Sequence, residues 1–109
     1  MPNADHYTYR VSWSEEDAEF VGTCLEFPSL SWLDKRQEAA LRGIRKLVLD
    51  CLKDMKKGGE PMPEPLSTKK LSGELRVRLP PDLHRALAIQ AEESRTSLNK
   101  VIIEKLRAH

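Results

Sequence analysis

The chain is 109 residues long, 39% hydrophobic and 32% charged, with a formal net charge of +1. That suffices for one modest domain or two very small ones, and it excludes a large catalytic domain built around a deep cofactor pocket. No run approaches the ~20 apolar residues of a membrane span, and Met1–Arg10 has no apolar signal-peptide core. Cys24 and Cys51 then read as free thiols of a reducing compartment, and a soluble, cytoplasmic protein without membrane contact is expected. The charge is unevenly spread. Residues 1–66 hold nine bases and twelve acids, residues 67–109 nine bases and five acids. Opposite signs suggest two tasks, with a polyanion as partner of the basic part.

Tyr7–Trp13 alternates large apolar and polar residues, the period of a half-buried strand. Ser14–Asp17 is a polar turn, and Glu19–Cys24 a second strand that completes a hairpin. Pro28 interrupts pairing before a short third strand at Leu30–Trp32. Asp34, with Gln37 three positions on, predicts a helix cap. Ala40, Leu41, Ile44, Leu47, Val48, Cys51, Leu52 and Met55 then recur at helical spacing as far as Gly58. Residues 1–57 thus form a β-β-β-α unit, a small antiparallel sheet with one helix on a face. Gly58-Gly59 and the alternating Pro61, Pro63 and Pro65 mark residues 58–70 as a semi-rigid linker.

Residues 71–109 read as β-α-α. In Gly73–Leu79, Leu75, Val77 and Leu79 fall on one face and Glu74, Arg76 and Arg78 on the other. Asp82 is placed to cap a helix carrying Leu83, Ala86, Leu87 and Ala91, and Ser97 a last helix carrying Leu98, Val101, Ile102 and Leu106. A single strand cannot pair with itself, so its ladder calls for a second copy of the chain, a homodimer through residues 73–79. Such a two-fold ribbon would bury its leucines and valine beneath four helices and present Glu74, Arg76 and Arg78. A two-stranded ribbon fits the major groove, where Arg suits guanine O6 and N7. The helix start Ser97-Leu98-Asn99-Lys100 offers amides, an amide side chain and an ammonium group to a phosphate. Base reading (Glu74, Arg76, Arg78) and phosphate binding (Ser97, Asn99, Lys100) thereby fall on separate elements.

Residues 71–109 resemble the ribbon-helix-helix fold of Arc/MetJ-type repressors. A wider resemblance, to HicB-family antitoxins, runs through Tyr7–Trp13, residues 40–44 and 59–66, Ser72-Gly73, Arg78–Pro81, Leu83–Leu87 and Ser97–Asn99. It implies an α+β protein whose first unit is a partial ribonuclease-H-like fold that binds and neutralises a HicA toxin, a small ribonuclease. It also implies a second unit that represses the shared operon on double-stranded DNA, with Glu74, Arg76 and Arg78 facing bases and Ser97 and Asn99 meeting the backbone. Three positions depart from the pattern: Glu74 where a base is common, Leu71 where an aromatic is common, and a glycine-free loop at Leu33–Arg36. Glu74 favours a cytosine amino group.

The ribonuclease-H resemblance invites a nuclease reading, which requires carboxylates converging on the sheet. Glu15, Glu16, Asp17 and Glu19 cluster instead in and beside a turn, and no acid lies within Tyr7–Trp13. The expectation is a protein without enzymatic activity or cofactor, its acidic hairpin a docking surface for a basic toxin, with an ordinary solvated turn as the other reading. His6, His84 and His109 have no metal-ligand spacing, and no metal site is expected. Two other readings stand beside the antitoxin. One is a ribbon-helix-helix regulator without a toxin partner, its first unit serving ligand binding or oligomerisation. The other is an interaction protein whose β-α-α unit only dimerises.

Overall fold

The computed structural model describes residues 1–108, so position 109 of the expected second unit lies outside it. The architecture is α+β: a three-stranded antiparallel sheet followed by helices. The chain divides into two compact units, Met1–Leu71 and a second that begins at Ser72.

In the first unit, β1 (Tyr9–Ser14), β2 (Glu19–Cys24) and β3 (Ser31–Asp34) lie in the order β1-β2-β3. The register pairs Val11 with Gly22 and Gly22 with Trp32, so Tyr9, Val11, Trp13, Phe20, Gly22, Cys24 and Trp32 share a face. The helix α1 (Gln37–Gly58) packs on that face. It buries Ala40, Ile44, Val48 and Leu52 completely, at four-residue steps down one ridge. Close approach depends on Gly22, where a Cβ would stand 2.6 Å from the Ala40 carbonyl oxygen. Ala4, Tyr7, Cys24 and Phe27 complete the core, with the Tyr7 and Phe27 rings edge-on at 5.3 Å.

Three expectations need correction here. Tyr7 belongs not to a strand but to the end of a 3-10 turn, Ala4–His6, and its ring enters the core. Asp34 does not cap α1: strand pairing runs two residues past Trp32, so Asp34 ends β3 opposite Phe20. The cap position is Arg36, which makes no side-chain cap bond; its amide donates to Asp34 Oδ1 at 3.2 Å. The stretch expected to be a linker is also fastened to the first unit, since Pro65 is buried and Met62 packs against the core. α1 itself ends as glycine dictates. Gly59 takes φ +67°, and the Glu60 amide reaches back to the Met55 carbonyl at 2.9 Å.

In the second unit, α2 (Pro81–Glu93) and α3 (Leu98–Arg107) form a helical hairpin. Asp82 does not cap α2. Pro80 holds the cap position and Pro81 the first helical one, where a missing amide costs nothing, so Asp82 lies inside the first turn. Ser97 caps α3 as expected, its Oγ accepting from the Lys100 amide at 3.1 Å. Between the helices Arg95 takes φ +52°, and the Thr96 amide donates to the Ala91 carbonyl at 3.0 Å. Among the described residues of this unit only Leu87, Ala91 and Val101 are buried, supported by Leu79, Leu98 and Ile102. Residues 73–79, expected as a strand, form none.

Candidate functional site

The second unit leaves its apolar pattern open. Leu75 is 88% exposed, Val77 69% and Leu106 67%. These side chains, with Leu83 and Ile103, line a groove of about 820 Å³ that lies wholly within the unit. Gly73 turns into the segment at φ +83°, and the Glu74 amide donates to Ser72 Oγ at 3.0 Å. Glu74, Arg76 and Arg78 are all exposed, and neither arginine has a carboxylate within 4.0 Å among the described residues. The strip is therefore an apolar row beside two unpaired guanidinium groups, without a surface to close on.

At the start of α3, Ser97, Asn99 and Lys100 are exposed. The capping bond occupies an acceptor position of Ser97 Oγ and leaves its proton free to donate. The amides of Leu98 and Asn99 precede any intrahelical acceptor, so the helix end is a donor-rich, positive terminus.

The acidic residues sit at the β1–β2 turn, closed by Ala18 at φ +52°. Two of them are engaged locally. Trp13 Nε1 donates to Glu15 Oε1 at 2.9 Å, and Ser14 Oγ to Asp17 Oδ2 at 2.9 Å. Glu16 is exposed and Glu19 half-buried in β2. Trp13 packs edge-on against Phe20 at 5.1 Å, and half of it remains in solvent. The turn thus offers acids beside an open aromatic pair.

Sequence reasoning missed Glu26. Its carboxylate accepts from the Thr8 amide at 2.9 Å, Thr8 Oγ1 at 3.2 Å and the Leu66 amide at 2.9 Å, with the Cys24 thiol at 3.6 Å. Burial alone would raise this carboxyl, but the Leu66 and Thr8 amides outweigh it and hold it below the ordinary value. Burial also pushes the Cys24 thiol up, and it pushes Tyr9 up to about 12. The available signal was an acid flanked by Leu25 and Phe27, an unusual neighbourhood for a solvated group.

A sequence model of the HicB family matches residues 59–106. The match covers less than half of the chain, and over that stretch the chain is similar to the HicB family. The HicB match begins at the glycine that ends α1, takes in the fastened Met62–Ser67 segment and nearly all of the second unit, and leaves the sheet outside. No curated protein and no solved structure matches the chain. No helix among the described residues is long and apolar enough to cross a membrane.

Proposed function

We propose that the chain is an antitoxin that neutralises a HicA-type ribonuclease with its sheet unit and represses its own operon by binding operator DNA as a dimer. The observation that carries this reading is the imbalance of the second unit. Among its described residues it buries three side chains, while Leu75 and Val77 stand exposed beside a groove of about 820 Å³. A unit of this size with so small a core lies below what folds alone. Two copies of residues 73–79 paired antiparallel would satisfy both ladders and cover the apolar row, the ribbon-helix-helix arrangement.

Pairing leaves Glu74, Arg76 and Arg78 of both copies on the outer face of the ribbon. There Arg76 and Arg78 meet guanine edges in the major groove, and Glu74 accepts from a cytosine amino group. The positive start of α3, with Ser97, Asn99 and Lys100, takes a phosphate and sets the register. In the first unit the partial ribonuclease-H-like sheet acts by binding and not by catalysis. Its acids are spread along a turn and partly spent on Trp13 and Ser14. The remaining charge, with the open Trp13–Phe20 pair, suits a basic toxin. No cofactor enters this scheme, and cytoplasmic action follows from its partners.

The test is binding to a duplex from upstream of the protein's own gene and to a scrambled duplex, each at two salt concentrations. Arg78→Ala is expected to lose roughly 1–3 kcal/mol of discrimination per contact, doubled by the two-fold axis. Lys100→Ala is expected to weaken both duplexes alike and to lower the salt slope. Unchanged sequence preference in Arg78→Ala would remove the ribbon as the reading element and leave an interaction-only role for the second unit.

A further inference from the structure

The first unit is acidic at its hairpin but not on its helix. Residues 35–57 hold eight bases against three acids. Arg42, Lys46, Lys53 and Lys57 follow at steps of four, seven and four residues, which at about 3.6 residues per turn sets them on one ridge. The ridge lies roughly opposite the buried line Ala40, Ile44, Val48 and Leu52, and it therefore points away from the sheet. All four side chains are exposed. Among the described residues, Lys46 alone of the four has a carboxylate partner, Asp50 at 3.3 Å, while Arg42, Lys53 and Lys57 have none.

Helix stability alone does not call for the ridge: Glu38–Arg42 and Lys46–Asp50 are favourable at i, i+4, but the ridge also sets like charges one turn apart. Arg42–Lys46 and Lys53–Lys57 are like-charge pairs at i, i+4, an arrangement that destabilises a helix. The macrodipole accounts for Lys56 and Lys57 in the last turn, but it gives no reason for Arg42 and Lys46 in the first half. From Arg42 to Lys57 the ridge runs about 22 Å, enough to follow several phosphates spaced about 3.4 Å apart along one strand.

We propose that the outer ridge of α1 is a second, sequence-independent DNA contact, binding the phosphate backbone of duplex DNA through Arg42, Lys46, Lys53 and Lys57. This deepens the DNA-binding reading of the second unit, which it does not need in order to be tested. The ridge supplies affinity and salt dependence, and sequence preference stays with Arg76 and Arg78.

The experiment uses the full chain with a scrambled duplex, a duplex from upstream of the protein's own gene and a single-stranded RNA, each across a salt series. R42Q/K53Q is compared with K69Q/K70Q, which removes two charges outside the ridge. The ridge variant is expected to bind at least tenfold more weakly at low salt, with a slope of log affinity against log salt smaller by about 0.9 per lost phosphate contact. Its ratio of operator to scrambled binding should be unchanged. Glutamine is a good helix former and relieves repulsion, so helicity by circular dichroism should hold. K46Q/K57Q provides a second ridge pair. Equal slopes for wild type and both ridge variants overturn the proposal, as does an equal fall in K69Q/K70Q. A change seen only with single-stranded RNA overturns the duplex assignment, and a wild type that binds no duplex at low salt overturns it together with the operator reading. If instead wild type binds without sequence preference while the ridge variants lose affinity, the reading of the ribbon fails and the ridge stands.

Discussion

The amide of Leu66 donates to the carboxylate of Glu26 at 2.9 Å, across forty positions of sequence. With Tyr7 Oη donating to the Pro63 carbonyl at 2.7 Å and Ser67 Oγ to the His6 carbonyl at 2.5 Å, it fastens the Gly/Pro-rich segment to the sheet unit. Glu26→Ala removes the anchor of Thr8 and Leu66 together and should cost about 2 kcal/mol, the scale of hydrogen bonds to a charged group. Chemical denaturation of the variant checks the magnitude. Amide exchange at Leu66 should also quicken, and an unchanged rate there would mean that the segment is held by packing alone.

The same carboxylate makes stability depend on pH. Its folded value is depressed below the ordinary 4.5, so the folded state releases the proton more readily than the unfolded one. The contribution is complete above 4.5 and is lost as pH falls through the folded value. The difference in denaturation midpoint between wild type and Glu26→Gln should therefore be flat at neutral pH and shrink in acid. Tyr9 acts with the opposite sign. Pushed up from 10.0 to about 12 by burial, it stabilises below 10 and loses that contribution as pH climbs toward 12. Tyrosinate absorbance should lag in the folded protein and appear together with unfolding.

Gly22 and Gly43 both face atoms that a Cβ would strike, yet they should respond differently to alanine. At Gly22 the obstacle is the Ala40 carbonyl oxygen at 2.6 Å, which cannot move without α1. Gly22→Ala should cost roughly 1–3 kcal/mol through overpacking. At Gly43 the obstacle is the ring of Trp32, which is 43% exposed and can swing outward. Gly43→Ala gains up to ~1 kcal/mol of helix propensity against the displacement of the whole Trp32 ring, so its loss should be smaller than that of Gly22→Ala. Comparable losses in thermal unfolding would show that the Trp32 ring is fixed.

The elements most legible in the sequence were those whose partners lie nearby. Glu19–Cys24 appears with the expected bounds, and the buried line from Ala40 to Leu52 follows the spacing. Ser97 caps as expected because a cap bond spans three residues. Asp34 misled because a cap signal and a strand end look alike until Phe20 is seen opposite it. Glu26 was invisible because its decisive donor, Leu66, lies far along the chain within a segment whose composition signals freedom. The expected strand at Gly73–Leu79 is absent because alternation marks a strand face without supplying the partner that a ladder needs.

Val77→Pro removes a ladder amide and fixes φ in the middle of that segment, so it should abolish dimerisation and the preference for operator over scrambled DNA. Leu75→Ala keeps the backbone and loses only buried area, so it should raise the dimer dissociation constant without abolishing assembly. Sedimentation at micromolar concentration separates the cases. A folded wild-type monomer there would count against pairing through residues 73–79.

A fragment of residues 1–71 should fold and retain toxin binding, since it keeps the Glu26–Leu66 and Ser67–His6 bonds. A fragment cut at residue 60 forfeits Met62, the buried Pro65 and both bonds, and should be markedly less stable. Calorimetry of both fragments, with toxin titration of the longer one, tests the modularity. A well-folded 1–71 fragment without affinity for the toxin would refute the docking assignment.

The edge-on Trp13–Phe20 pair and the Trp32 ring over Gly43 belong to a set with one further property. Both tryptophans, both tyrosines and both phenylalanines precede residue 33, and the second unit contains none. Intrinsic fluorescence and near-ultraviolet dichroism therefore report on the sheet unit alone, while far-ultraviolet dichroism registers α1, α2 and α3 together. The molecule carries its own optical label on one half. Divergence of the two signals during dilution or heating would reveal the helical hairpin melting by itself, without any dye or engineered probe.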